Sequence, residues 1–150
     1  MIIATSYPKR FNILSWLIAK VQGTKFSHVL IIDERINLVF QASHGYVNAQ
    51  NTKIFVEENI IIDKYKVPDS SVNYDFIISN LGVPYGKMQL VFTSLHLLFK
   101  WRFKDNGNQY FICSEFVGRA LKLDWVNDST TPKEIHDYLM QHSVNSDLMR

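Results

Sequence analysis

The sequence predicts an α+β fold in which an antiparallel sheet packs against helices. The segment 26–32 is rich in β-branched residues, and the mostly apolar segment 38–42 follows it after a turn at 33–37, which favours an antiparallel pair. Later segments instead repeat apolar residues every three or four positions, the spacing of a helix with one buried face. The most regular of these begins at Cys113, so the strands precede the cysteine helix in the chain.

Length and composition predict a single domain over residues 1–150. A chain of this length buries a core without disulfides. Its one cysteine forms no intramolecular bridge, so the chain suits a reducing compartment or uses the thiol chemically. The 16 basic and 14 acidic side chains nearly balance, so overall charge gives no reason to expect a nucleic acid or a membrane as partner.

Targeting and membrane signals are weak in this sequence. Residues 1–8 lack the charged region, apolar core and cleavage site of a secretory signal. The apolar stretch at 88–103 is interrupted by polar and charged residues and falls short of a spanning helix. We therefore expect a soluble protein without a transmembrane segment, located in the cytoplasm or carried in a larger particle.

The first half of the chain is predicted to contain one helix and most of the sheet. A packing helix is predicted over 11–21, closed by Gly23. Segments 53–56 and 60–67 are predicted to extend the sheet to four or more strands, and 44–51 is predicted to be a turn. The packing face of the helix is predicted to consist of five apolar residues: Phe11, Leu14, Leu17, Ile18 and Val21.

The second half is predicted to be helical. One helix is expected over 72–80, ending at Gly82, and another over 88–99. The segment Thr131-Pro132-Lys133-Glu134 has the form of a capping box, with proline at the first helical position, and predicts a final helix.

Cys113 stands at the predicted start of its helix, where the chemistry favours a thiolate. The apolar residues three, four, seven and eight positions later continue one inward stripe from the sulfur. Unpaired N–H groups at a helix N-terminus, together with a nearby imidazolium, lower the pKa of a thiol. A free cysteine is also a common small hydrophobic residue of protein cores, and the sequence leaves both interpretations open.

A thiol nucleophile requires an imidazole that accepts its proton, and His28 is the best-placed histidine. It lies in a predicted strand between Phe26 and Leu30 on one face, where a purely structural sequence would favour another apolar residue. His44, in a predicted turn, is the reserve. No spacing of histidine and cysteine matches a zinc site. The remaining three histidines are predicted at the surface: His96, His136 and His142.

Five short motifs follow one another along the chain in an informative order. They are Phe26-Ser27-His28-Val29, Val39-Phe40-Gln41-Ala42, Gly82-Val83-Pro84-Tyr85-Gly86, Phe111-Ile112-Cys113-Ser114-Glu115-Phe116-Val117 and Thr131-Pro132. Together they resemble the circularly permuted NlpC-type cysteine hydrolases, the YiiX/YebB-like branch of the papain-like folds, related in layout to lecithin retinol acyltransferase. That branch places the histidine strand first and the cysteine helix last, as this chain does.

The resemblance implies roles for four residues. Cys113 would be the nucleophile and His28 the general base. The third position, usually a glutamate, is Gln41, whose amide can accept an imidazole N–H but stabilises imidazolium less than a carboxylate does. Tyr85 matches the family's active-site tyrosine and would line the pocket or steady an oxyanion, although a plain turn tyrosine is an equal alternative. Glu115 is expected to be structural.

The resemblance also implies a papain-like fold and a hydrolase without a metal or cofactor. The leading substrate is an amide or peptide bond, with cell-wall-type peptides favoured. The alternatives are a lipid acyl hydrolase or acyltransferase of the lecithin retinol acyltransferase type, and a noncatalytic binding module on the same fold. Residues 100–104 interleave basic and aromatic side chains, but so small a footprint leads us to expect no nucleic-acid partner.

Overall fold

The computed structural model describes residues 1–43, 45–86 and 110–142, and these form an α+β structure. The strands are β1 (Ile2–Pro8), β2 (His28–Asp33), β3 (Leu38–Ser43), β4 (Tyr46–Asn51) and β5 (Asn59–Lys66). The helices are α1 (Ile13–Gln22), α2 (Thr52–Glu58), α3 (Tyr74–Ser79), α4 (Cys113–Ala120) and α5 (Pro132–His142). The strands form one antiparallel sheet in the order β4-β3-β2-β1-β5.

The sheet confirms the predicted hairpin and adds strands that the sequence did not indicate. β2 pairs with β3 across the predicted turn, and β5 covers most of the predicted strand at 60–67. Residues 1–8, considered above only as a possible signal, form β1 between β2 and β5. Ile3 and Ala4 of β1 are fully buried, so this strand is part of the core rather than an edge.

Two predictions about the sheet are wrong. Residues 53–56, predicted as a strand, lie in α2, where Asn51 caps the helix by accepting a hydrogen bond from the Lys53 amide at 2.9 Å. The period of a short apolar run does not distinguish a strand from a helix. Here the Asn51 cap favours the helix. Residues 44–51, predicted as a turn, largely form the edge strand β4, in which Val47 alone is buried.

The predicted stripe of α4 is confirmed. Cys113 opens the helix and is buried in the same apolar cluster as the residues that follow it at helical spacing. This face packs on β2 and β3. The other members of the stripe are Phe116, Val117, Ala120 and Leu121.

The other helices follow their capping signals to different degrees. The capping box of α5 is present: the Thr131 amide donates to Oε2 of Glu134 at 2.7 Å, and the Glu134 amide donates to the Thr131 hydroxyl at 3.2 Å. α3 is shorter than the predicted span of 72–80, because Asn73 caps it and the helix begins at Tyr74. The helix predicted over 88–99 lies outside the described residues.

Over the described ranges, no helix combines the length and apolarity that crossing a membrane requires.

The predicted packing face of α1 is wrong in part, because Ile18 is buried and Val21 half-buried but the other three residues are exposed, whereas its predicted end is correct. Gly23 closes the helix in the left-handed conformation, with φ of 65°. Phe11 is 78% exposed and Leu14 and Leu17 are also exposed, whereas Gln22 is buried. The Gln22 side-chain oxygen accepts a hydrogen bond from the Lys133 amide at 3.0 Å, so a polar contact with the start of α5 determines which face turns inward.

Candidate active site

His28 and Gln41 meet between neighbouring strands. Nε2 of His28, the first residue of β2, lies 2.8 Å from Oε1 of Gln41 on β3. An amide oxygen only accepts, so Nε2 carries the hydrogen and Nδ1 keeps a free lone pair. The Gln41 amide nitrogen in turn donates to Oε1 of Gln50 at 3.2 Å, which fixes the orientation of the amide. The contact predicted between Gln41 and His28 is therefore present.

The thiol of Cys113 lies beside the backbone that carries His28. The ladder between β2 and β3 ends at the pair Ile31 and Phe40, before it reaches the start of β2. There the backbone N–H of Val29 lies near the Cys113 sulfur and lowers the pKa of the thiol. Because Val29 directly follows His28, the sulfur lies within roughly 7 Å of the His28 Cα, given standard bond lengths and hydrogen-bond distances. Within the described ranges, no hydrogen bond joins thiol and imidazole directly.

The thiol sits at the open end of α4. Ile112 precedes the helix and provides no side-chain cap, so N–H groups of the first turn remain available. The amides of Cys113 and Ser114 also lie near the sulfur and, like that of Val29, lower the pKa of the thiol. The Ser114 hydroxyl also donates to the Thr130 carbonyl at 2.5 Å, which ties the helix start to the segment before α5.

Burial leaves both partners neutral in the free protein. It raises the pKa of the Cys113 thiol to about 11, because the loss of water outweighs the surrounding N–H groups. It also lowers the pKa of His28 to about 4, because the loss of water outweighs the hydrogen bond to Gln41. The N–H groups at the helix start lower the thiol pKa as expected, but burial outweighs them, so the pKa of the thiol lies above its ordinary value in the free protein. Cys113 is only 2% exposed, so removing water from a charged sulfur costs more free energy than the N–H groups of a short helix provide.

Tyr85 belongs to a segment that pairs with the chain just before Cys113. It forms a parallel bridge with Phe111, and its amide donates to the Gly45 carbonyl at 2.8 Å. Burial raises the pKa of Tyr85, and the negative charge of a Cys113 thiolate raises it further. The phenol therefore keeps its proton and can donate a hydrogen bond near the thiol.

A cleft of about 670 Å³ opens beside His28, and the buried Cys113 lies behind its lining residues. His28, Gln41 and Tyr85 line one part of it. The N-terminal part of α1 forms an apolar wall that sequence reasoning missed, because only the tertiary fold brings the helix there. The mouth also carries charges of both signs, from Lys9, Arg10, Glu57 and Glu58. The apolar residues of the wall are Phe11, Leu14 and Ile18.

Other candidate residues lie away from the thiol chemistry. Glu115 is fully buried and pairs with Arg119 at 2.9 Å, consistent with the structural role expected of it. The surface position predicted for His136 is wrong, because its ring packs on Phe26 with centroids 4.8 Å apart. His142 is exposed as predicted. No group of metal-ligating side chains occurs among the residues that the structure describes. Two histidines, His44 and His96, lie outside those residues.

No protein-family model matches the chain, and no curated protein matches it. The resemblance to permuted NlpC-type hydrolases therefore rests on the five motifs and their order. Support for a site comes from the chain's own geometry: an oriented imidazole at the edge of a cleft, with a helix-start thiol beside it.

Replacing Gln41 with glutamate is expected to raise the pKa of His28 well above its value of about 4. The carboxylate accepts the same N–H and also attracts the positive charge of imidazolium, so the ring stays protonated to higher pH. An NMR titration of the ring protons of His28 measures this shift. Gln50→Glu, one hydrogen bond further away, is the matched control and should move the pKa less. Equal shifts in the two variants would contradict a direct orienting contact.

Proposed function

We propose that the protein is a cysteine hydrolase of the permuted papain-like class that cleaves an amide or peptide bond. The observation that carries the proposal is the 2.8 Å bond between His28 and Gln41, which leaves Nδ1 as the free base next to the strand position that contacts the Cys113 thiol. The order of a histidine strand before a cysteine helix, on a five-stranded antiparallel sheet, supports the same class.

The reaction begins with proton transfer from the thiol to Nδ1 of His28 when substrate fills the cleft and brings the two groups together. The sulfur attacks the carbonyl carbon, and the carbonyl π electrons move onto the oxygen. In this proposal the Cys113 amide and the Tyr85 hydroxyl donate hydrogen bonds to that oxyanion. When the tetrahedral intermediate collapses, the amine leaves with the proton held by His28, and the acyl group remains on sulfur as a thioester.

Hydrolysis of the thioester completes the cycle. Water gives a proton to Nδ1 of His28 as its oxygen attacks the thioester carbon. The C–S bond then breaks, the carboxylic acid is released, and the thiolate recovers its proton from the imidazolium. Gln41 acts throughout as a positioning residue, because it holds Nε2 and so keeps Nδ1 directed to the reacting atoms.

The cleft favours a peptide over other acyl compounds. Lys9 and Arg10 lie at its mouth with Glu57 and Glu58, so groups of either charge find a partner there. A peptide with free amino and carboxyl groups, as in cell-wall-type peptides, suits such a mouth. A lipid ester would instead use the apolar wall of α1 and is the alternative substrate for the same chemistry.

A noncatalytic binding module is the second candidate function. The observation in its favour is the thiol itself, which is buried and has a pKa of about 11. A neutral amide at the third position also stabilises imidazolium weakly. In this case the cleft would hold its ligand without forming a thioester.

The decisive test is a substrate panel with detection of the acyl-enzyme. Cell-wall-type peptides and lipid esters are incubated with the protein, products are quantified, and the intact protein is weighed by mass spectrometry after acid quenching. We expect peptide cleavage and a mass increase that maps to Cys113. Saturable binding of the same peptides without product and without a mass increase would favour the binding module.

Alkylation of Cys113 by iodoacetamide is expected to be slow at neutral pH in the free protein and to accelerate as pH rises towards about 11. The reason is that the thiolate is the reactive form, and burial keeps the thiol protonated below its pKa. The rate is followed by mass spectrometry from neutral to alkaline pH. The urea-unfolded protein is the control, because its thiol regains an ordinary pKa of about 8.5 and reacts faster at neutral pH. A rate that is already constant below pH 8 would show that a resting thiolate–imidazolium pair exists.

A further inference from the structure

Helix α1 presents its apolar stripe to solvent. Ile13, Trp16 and Leu17 are 72%, 42% and 36% exposed, and they follow the spacing of one helical face. The opposite face, which packs on the protein, includes Ala19 and the polar Gln22. An exposed stripe of large apolar side chains on a single helix is typical of a binding surface.

The segment that contains this stripe carries charge of one sign, although Glu57 and Glu58 lie with its Lys9 and Arg10 at the cleft mouth. Residues 1–32 contain four basic and no acidic side chains, whereas the remainder of the chain contains 12 basic and 14 acidic ones. The positive balance of the protein is therefore concentrated in the segment that contains α1. Nζ of Lys20 lies 4.6 Å from the centre of the Trp16 ring, so a cation borders the apolar stripe directly. The other basic residues of the segment are Lys9, Arg10 and Lys25, all exposed.

We propose that α1 docks the protein on the surface of an anionic lipid bilayer. The helix lies in the plane of the interface, with Ile13, Trp16 and Leu17 inserted at the boundary of headgroups and acyl chains. The basic residues on either side of the stripe pair with lipid phosphates, and an indole ring is favoured at this depth.

The charge pattern favours a membrane, rather than a second copy of the chain, as the partner of α1. In a symmetric dimer through α1, the four cations of each copy would face or flank those of the other, and like charges in an interface are unfavourable. An anionic bilayer offers opposite charge to the same residues and an apolar phase to the stripe. Docking would also place the cleft close to the membrane surface, because Phe11 and Leu14, at the start of the same segment, line the cleft.

Vesicle sedimentation tests the proposal on the whole protein. Vesicles of phosphatidylcholine, with or without phosphatidylglycerol, are mixed with the protein and pelleted, and the bound fraction is measured at low and high salt. We expect binding to the anionic vesicles, weakening by roughly tenfold or more at high salt because each cation near the surface contributes about 1 kcal/mol. The double variant Ile13→Ser/Trp16→Ser should lose binding by a similar factor.

A matched double variant controls for general surface effects. Ile36 and Trp125 are comparably exposed but lie outside α1, so Ile36→Ser/Trp125→Ser should bind vesicles like the wild type. Circular dichroism confirms that both variants are folded. Peptide hydrolysis in solution should be equal in all three proteins, because neither Ile13 nor Trp16 lines the cleft. This separates failure of membrane docking from failure of the proposed catalytic function.

Several outcomes would overturn the proposal. Vesicle binding that is absent, that is equal with neutral and anionic lipid, or that survives Ile13→Ser/Trp16→Ser would exclude docking through α1. A concentration-dependent dimer in light scattering that disappears in this variant would assign the surface to a second copy instead. Strong shielding of Trp16 from a soluble quencher before vesicles are added, with Trp16→Phe used to isolate its signal, would show that the stripe is already covered.

Discussion

Cys113→Ala is expected to eliminate hydrolysis, and His28→Ala is expected to reduce it nearly as far. The sulfur forms the covalent intermediate, so its removal leaves no route through a thioester. Without the imidazole, the thiol has no partner to accept its proton, and its pKa of about 11 keeps it protonated at neutral pH. Each variant should lose at least about 10³-fold in kcat, and the double variant should be little worse, because the two groups act as one unit.

The controls for this experiment separate chemistry from folding and binding. Cys113→Ser changes one atom and should keep the fold and ligand affinity while losing turnover. Tyr85→Ala, which alters the cleft, should weaken both affinity and turnover. Hydrolysis by Cys113→Ser at the wild-type rate would rule out the nucleophile assignment, because a hydroxyl lacks thiolate character. If none of the proteins forms product and only Tyr85→Ala changes the ligand affinity, the binding-module alternative is correct.

Elements with strong local signals could be predicted from the sequence. The turn between β2 and β3, the apolar stripe of α4 and the capping box of α5 each depend on residues a few positions apart. β1 depends on partners far away in the chain, since it pairs with β2 and β5. β4 pairs with the neighbouring β3, but it contains three Asn or Gln residues, which give a weak strand signal. α2 was misassigned because a short apolar run has no decisive period.

In the candidate site, too, some features could be predicted from local motifs and others depend on the tertiary fold. The motifs around Cys113, His28 and Gln41 indicated which residues would meet, and the contact of His28 with Gln41 is present. The direction of the thiol pKa could not be predicted, because it depends on how far the core encloses the sulfur. Helical period likewise identified an apolar stripe on α1 but not its orientation, which a distant hydrogen bond from Lys133 to Gln22 determines.

Gly118→Ala is expected to destabilise the protein, although the same change in an ordinary helix interior stabilises it by about 1 kcal/mol. A Cβ at this position would lie 2.4 Å from Cγ2 of Val126, 2.9 Å from its Cγ1 and 3.1 Å from Cδ1 of Ile135. Those contacts are too short, so α4 must move away from the segment before α5 or Val126 must be displaced. Overpacking of this kind costs about 1–3 kcal/mol, and urea unfolding should show a net loss in the free energy of unfolding.

Removing the side chain that clashes should reverse the effect. Val126→Ala deletes both methyl groups in the way, so Gly118→Ala/Val126→Ala should be more stable than the sum of the single changes predicts, by about 1 kcal/mol or more. Displacement of α4 also carries the Cys113 sulfur away from the Val29 amide and the neighbouring His28, so Gly118→Ala should lose turnover under conditions where it is still fully folded. Unchanged stability in Gly118→Ala, or no coupling to Val126, would mean that the close packing of α4 on this segment does not hold the thiol in place.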